Sequence, residues 1–408
     1  MLILKTSGDV FQFSSLGIAR SLGRLGVPVY LYSAREDQFT PISKSKYLAG
    51  AYIVRDTGSD FLTHLLEIGS GFNRKPLLLP VDDFGAVFAA THYAELRRLF
   101  LMPEANAELV ATVTDKAKLA ELCRQHRHPH PETIAVNDGR DRDAVIDRTD
   151  YPFVIKRPQQ WVGKGPTTRL IQDVTQMVEV LNAARYEGFG FVLQDYIPYS
   201  KGQNWVVQGY AGPDEQNVVL FTGLKIRSNP PETGAGCFVE AVENPALRKQ
   251  AEGFLRDIGY KGILDLDYRL DPRDGTYKLL DFNPRLGAPF RLFQDEHGTD
   301  LVRALHLDLT GRRPARPMRP LNRRFIVEDY DARASLRYFR ARRLGVPEWL
   351  RSLRNIDEAA WFSSDDPLPA FMVVARRFVG KSRRIEPRTP LSYRPGRFSG
   401  GRLRATHQ

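Results

Sequence analysis

One stretch constrains this chain more than any other: Gly262 to Ala288, which reads GILDLDYRLDPRDGTYKLLDFNPRLGA. Two runs with strand-like alternation, Ile263 to Leu270 and Tyr277 to Asn283, flank Asp271-Pro272-Arg273-Asp274-Gly275. Pro presets φ, Gly supplies positive φ and Asp bonds its own backbone, so the insert is a turn and the stretch a hairpin. Side chains two apart on a strand share a face, which sets Asp265 beside Asp267 and Asp281 beside Asn283. If the register brings those faces together, three carboxylates and an amide converge. Two bare carboxylates about 4 Å apart repel by about 4 kcal/mol at an effective dielectric near 20. Such a cluster calls for a cation, and oxygen-only ligands favour Mg²⁺, Mn²⁺ or Ca²⁺. Arg285 adds a fixed positive fork, a combination suited to phosphate chemistry. Taken alone, the Asp-x-Asp pattern also describes a hairpin with a solvated acidic face.

The string Asp281-Phe282-Asn283-Pro284-Arg285 resembles the metal-binding signature of the ATP-grasp superfamily, usually Glu-x-Asn-Pro-Arg with another acid some fourteen residues upstream. The resemblance implies that Asp267, Asp281 and Asn283 hold Mg²⁺ (or Mn²⁺) between the phosphates of ATP. It implies that Arg285 contacts the transferred phosphoryl group or an acyl phosphate. Asp stands where Glu is usual at both acidic positions, which keeps the charge and shortens the reach by one methylene.

The rest of the chain fits that frame in order. Residues 1–112 read as an open α/β domain: the strand Leu2-Ile3-Leu4, a helix from Leu16 through Leu25, Gly26 as its stop, then the strand Val27 to Tyr32. No G-x-G-x-x-G occurs between Thr6 and Ser15, so a dinucleotide fingerprint is missing. A later strand, Pro76 to Val81, ends in Asp82-Asp83, placed either to face a cleft at the strand's carboxyl end or to cap the next helix. Residues 113–312 resemble the ATP-grasp module, with a lid subdomain over about 125–195 and a metal-bearing sheet over about 196–312. Lys116, on a helix capped by Thr114 or Asp115, matches the family's first phosphate-binding lysine. Lys156, ending the apolar strand of Tyr151-Pro152-Phe153-Val154-Ile155-Lys156, matches the second. Gly163, Lys164 and Gly165 take the place of the glycine-rich loop over the phosphates, with fewer glycines than is usual and Trp161 among them. Gln194, Asp195 and Ile197 match the hinge that reads adenine. Asn204 stands where an acid usually grips the ribose hydroxyls.

Val206 to Ala211 and Val218 to Gly223 alternate around Gly212-Pro213-Asp214-Glu215 as a second hairpin, which leads into Leu224-Lys225-Ile226-Arg227-Ser228-Asn229-Pro230-Pro231. Two cations two apart share one face of a strand. The segment resembles a narrower branch, the D-aspartate-ligase-like carboxylate–amine ligases, in which Lys225 and Arg227 would hold a phosphate or an acidic substrate. A solvated basic face is the alternative.

Beyond Arg312, a Pro-rich linker leads to a carboxy-terminal helical extension over 313–375 carrying Trp349 and Trp361, then a basic tail over 376–408. Residues 371–408 hold ten Lys/Arg and one acid, +9 of the chain's +11, leaving +2 for the first 370 residues. With the charge in a tail and aromatic interleaving sparse, a nucleic-acid partner is not expected. Phe371-Met372-Val373-Val374 beside that tail suits either a packed segment with a solvated tail or association with an anionic membrane surface. No apolar run has the ~18–20 residues of a membrane span, and the amino terminus goes straight into a strand. With only Cys123 and Cys237, a disulfide framework is not expected and a cytoplasmic protein is.

The expectation is an α/β protein with α+β lobes: the ATP-grasp fold behind an amino-terminal open α/β domain. The resemblance implies a ligase that joins a carboxylate to an amine through an acyl phosphate, using ATP and Mg²⁺ and releasing ADP and phosphate. The acid would be a small molecule or a peptide, such as a cell-wall precursor, and homodimers are common among such enzymes. A carboxylase, an acid–thiol ligase and a nucleotide-binding module without turnover are the rival readings.

Overall fold

The computed structural model describes residues 1–6, 12–33, 41–53, 61–137, 145, 151–160, 168–200, 202–213, 218–312 and 321–379. The candidate phosphate loop with Gly163, Lys164 and Gly165, and the basic tail beyond 379, lie outside them.

The described residues form three sheets. The first contains β1 (Leu2–Lys5), β2 (Tyr30–Ser33), β3 (Gly50–Ile53) and β4 (Leu78–Pro80), all parallel, in the order β3-β2-β1-β4. Strands β1 and β4 are apolar runs without alternation, as befits strands covered on both faces. The helix Phe13–Gly23 follows β1, and Gly26 reverses the chain at φ +73°, the left-handed conformation that glycine adopts without a Cβ clash.

The second sheet contains β5 (Thr133–Val136), β6 (Phe153–Lys156), β7 (Thr168–Ile171) and β8 (Phe191–Asp195), antiparallel, in the order β5-β8-β6-β7. The helix Val174–Glu187 lays Met177, Val180, Leu181 and Ala184 on it, forming a core of its own with Phe153, Ile155 and Phe191.

The third sheet is the largest: β9 (Asn204–Ala211), β10 (Val218–Asn229), β11 (Ala235–Ala241), β12 (Gly262–Leu270), β13 (Tyr277–Asn283), β14 (Arg324–Ile326) and β15 (Glu358–Ala359). Their order is β13-β12-β9-β10-β11-β14-β15. Alternation on β12 decides which face is which. Leu264 and Leu266 point into a core shared with Val207, Phe254 and Phe282, while Asp265 and Asp267 point the other way. Burying each of those large apolar side chains is worth about 1.5–3 kcal/mol. A slip of one residue would turn both carboxylates into that apolar core, so the register is strongly held.

The carboxy-terminal extension is more than helical. Its β14 pairs with β11, and β15 pairs with β14. Trp361 enters the core that joins the first and third sheets, with its ring 5.7 Å from that of Phe13. Arg20, wholly buried, donates to Asp366 at 2.9 Å and to the Trp361 carbonyl at 2.8 Å. The extension thus fastens the helix Phe13–Gly23 to the large sheet.

Candidate active site

The hairpin of β12 and β13 brings its polar side chains face to face. Asp265 lies opposite Asn283, and Asp267 opposite Asp281. Each member of the second pair carries a lysine from elsewhere in the chain. The Lys116 ammonium donates to Asp281 Oδ1 at 2.9 Å, and Lys225 donates to Asp267. Lys116 begins the helix Lys116–Gln125, whose cap is Asp115, accepting from the amides of Ala117 and Lys118. The Lys116 amide in turn donates to the Pro158 carbonyl, tying the helix to the loop after β6.

Lys156 ends β6 with Phe153, Val154 and Ile155 buried behind it, and donates to the Leu280 carbonyl at 3.0 Å. Burial pulls its pKa down to about 8, against the opposing pull of Asp281. Burial pushes Asp281 up, but Lys116 and Lys156 outweigh it and hold the carboxyl below its ordinary range.

These residues line one cleft of about 290 Å³ between the second and third sheets. Lys116, Lys156, Lys225, Asp267 and Asp281 lie along its walls together with Gln194, Asp195 and Ile197 of the expected hinge and Asn204 of the expected ribose position. Gln194 is held by Thr133 Oγ1 at 3.2 Å. Arg269 organises this region. It donates to Asn204 Oδ1 at 2.7 Å, to the Ile197 carbonyl at 2.9 Å and to the Glu232 carbonyl at 2.7 Å. Neither Arg269 nor Glu232 was anticipated from sequence, because each acts through partners far along the chain. Asn204 is engaged by this guanidinium.

Arg285 and Asn283 form an adjoining cluster rather than lining the cleft. The Arg285 guanidinium donates to Asp83 Oδ1 at 2.9 Å and to Asn283 Oδ1 at 3.1 Å, and lies 3.6 Å from Asp265 Oδ2. Burial would lower the Arg285 pKa, but Asp83, Asp265 and Asp281 raise it further. Burial, then the neighbouring Asp267, pushes Asp265 up to about 6. The two acids after β4 divide the roles foreseen for them. Asp82 caps the helix Asp83–Thr91 through the Gly85 amide, and Asp83 turns to Arg285. Gln208 and Gly287 also belong here and gave no local signal. Gln208 donates to Asp265 Oδ1 at 2.9 Å, and a Cβ on Gly287 would stand 1.8 Å from Gln208 Nε2.

One expectation fails. Arg227 does not share the cleft face with Lys225. A bulge in β10 shifts the register between the two: Lys225 pairs with Val239, but Arg227 with Phe238. The extra residue reverses the alternation. Arg227 is therefore buried, donating to Asp331 Oδ1 at 2.6 Å and to Ser352 Oγ at 3.0 Å, with its Cζ 4.3 Å from the Phe238 ring centroid.

Among the described residues, no group of three or more His, Cys, Asp or Glu side chains is gathered as a metal site. The donors that Asp267, Asp281 and Asn283 present are all oxygen, and both carboxylates are already balanced by cations. That chemistry fits a hard divalent ion. Nor is any helix among the described residues long and apolar enough to cross a membrane.

The chain has the ATP-grasp fold. Its structural neighbours include L-amino acid ligase from Bacillus licheniformis, with a TM-score of 0.56, 16% identity, and 78% of this chain and 74% of that chain covered. They include an ADP complex of N5-carboxyaminoimidazole ribonucleotide synthetase, with a TM-score of 0.60, 13% identity, and 78% and 79% covered. Biotin carboxylase from Campylobacter jejuni, in a β-γ-ATP complex, gives 0.59, 14% identity, and 79% and 74% covered. In sequence the chain is a homologue of D-aspartate ligase from Enterococcus faecium (strain Aus0004), 24% identical over 320 residues that cover 73% of this chain and 75% of that protein. No family model matches.

Proposed function

We propose that the chain is an ATP-dependent carboxylate–amine ligase, forming an amide and releasing ADP and phosphate. The observation that carries this reading is the pairing of Asp267 and Asp281 across the hairpin, each with its lysine, in the wall of a cleft that Gln194, Asp195 and Ile197 also line. Adenine would lie against the hinge and the phosphates would run toward Lys116 and Lys156. A divalent ion held by Asp267, Asp281 and Asn283, Mg²⁺ or Mn²⁺, would offset the charge of the β- and γ-phosphates.

The lysines then have a second use. With nucleotide and metal bound, Lys116 and Lys225 exchange their carboxylate partners for phosphate oxygens, giving preorganised charge where phosphoryl transfer needs it. The substrate carboxylate attacks the γ-phosphorus and the bond to ADP breaks, leaving an acyl phosphate beside Arg285. The amine attacks the acyl carbon, phosphate departs and the amine gives up a proton. No side-chain nucleophile is needed, in accord with a cleft of lysines, acids and amides. The name of the 24% relative makes acidic amino acids the first to try as substrates. Association of the exposed apolar face of the helix Leu368–Val379 with an anionic surface, and homodimer formation, remain part of the proposal.

The test is a phosphate-release screen of candidate acids crossed with amines, thiols and bicarbonate. Wild type should release phosphate only with one acid–amine pair, and Asp281→Ala should lose about 10³-fold or more in kcat. Turnover with bicarbonate or a thiol alone would replace the amide ligase with another ATP-grasp chemistry. ATP binding without ADP formation under every mixture would leave a nucleotide-binding module.

A further inference from the structure

The carboxy-terminal extension contacts a loop of the cleft wall. Between β10 and β11 the chain makes a tight loop, Asn229 to Gly234, and Glu232, Thr233 and Gly234 form part of the cleft wall. The loop is closely wound: a Cβ on Gly234 would stand 2.1 Å from the Asn229 carbonyl carbon. Glu232 takes a left-handed φ of +69°, a conformation that costs an L-residue about 1 kcal/mol or more and persists where surrounding contacts impose it.

Three contacts do so. Arg269, the residue that also holds Asn204 and Ile197, donates to the Glu232 carbonyl. Tyr196, on the hinge, donates its hydroxyl to Glu232 Oε2 at 3.3 Å. The third comes from outside the ATP-grasp module: Arg343, just past the helix Glu328–Arg340, donates to Glu232 Oε1. The Arg343 guanidinium is also framed by two aromatic faces, with its Cζ 4.8 Å from the Tyr199 ring centroid and 5.7 Å from that of Tyr338. Tyr199 follows the hinge and Tyr338 belongs to the extension. One guanidinium therefore joins the wall loop, the hinge and the extension.

The extension is a firm base for that contact. The buried Arg227–Asp331 pair bolts its first helix to β10, a few residues before the loop begins. An isolated surface ion pair contributes little. This one lies near two tyrosine rings and meets a carboxylate that Tyr196 also holds, so it acts on the position of a loop.

We infer that Arg343 is a positioning residue for the nucleotide cleft, clamping the 229–234 loop against the hinge so that the adenine end keeps its shape. The inference rests on the nucleotide reading of the cleft and adds the extension to it. Calorimetric titration of the full chain with ADP tests it. Arg343→Ala should raise the Kd for ADP about fivefold, the scale of one stacked, charge-paired guanidinium. Arg343→Lys should recover part of the loss by restoring charge opposite Glu232. Glu232→Gln should weaken binding similarly, and the double variant should be no worse than the worse single one, because both remove the same contact. Unchanged ADP affinity in Arg343→Ala while wild type binds would overturn the clamp alone, as would losses that multiply in the double variant. Wild type that does not bind ADP at all would overturn both the clamp and the nucleotide reading.

Discussion

Strands β12 and β10 each place two like charges two residues apart, and they treat them differently. On β12, Asp265 and Asp267 keep to one face, opposite Asn283 and Asp281. On β10, Lys225 enters the cleft while Arg227 is buried against Asp331 on the other side. Both strands carry an irregularity. On β12 the register shift against β13 follows Asp267, so the acidic pair lies wholly before it. On β10 the shift falls inside the pair. Alternation is a dependable guide to a shared face only up to the nearest bulge, and a bulge leaves no mark that residue types alone reveal.

The contrast can be broken by substitution. The largest effect is expected from Arg227→Ala, which strands Asp331 in a site 1% exposed. Removing one member of such a pair costs about 3–5 kcal/mol. Denaturant melts should show that loss, while the folded fraction keeps its phosphate release. Lys225→Ala should behave oppositely, nearly unchanged in stability and down about 10²-fold in kcat, the scale of one preorganised charge at the reacting phosphate. If the two variants exchange signatures, the bulge does not separate their roles.

A smaller effect, at Lys156, sharpens the comparison. Lys156 carries a pKa of about 8, below its ordinary 10.5, so in the free protein it loses its proton as pH rises through that value. Wild-type kcat/KM for ATP should fall on that alkaline limb, and Lys156→Arg, always charged, should flatten it. Stability runs the other way. The buried ammonium is unfavourable to the fold in full below about pH 8, and the penalty fades as pH climbs toward 10.5. The smallest change is expected at Asn204. Asn204→Asp would meet Arg269 with a charge-assisted bond and offer the ribose an acid, lowering the KM for ATP about threefold.

How much of this was legible depended on range. The hairpin was readable almost to the residue: Ile263–Leu270 was expected and Gly262–Leu270 is found, while Tyr277–Asn283 agrees at both ends. Turn chemistry and period-two alternation are local signals, and both were strong there. The six residues expected to bind ATP that fall within the described structure line one cleft. Arg227 was misplaced because a bulge inside β10 turns it toward Asp331, more than a hundred positions away. Gln208, Arg269 and Gly287 went unread for a related reason: each matters only through what another strand brings beside it. The extension was expected as helices packed on the body. Its two short strands, three residues and two, are too brief to show a period.

Those short strands bear on any attempt to shorten the protein. In the intact chain β14 sits on β11 through Phe238–Ile326 and Val239–Phe325, and β15 ends the sheet with only Glu358 and Ala359. A version cut after the β12–β13 hairpin would keep every carboxylate and lysine of the cleft, yet leave the backbone amides and carbonyls of β11 open along an apolar border. Such a border invites a neighbouring molecule to zip onto it. Trimming this protein to its chemistry would yield particles that stick to one another before they could be assayed.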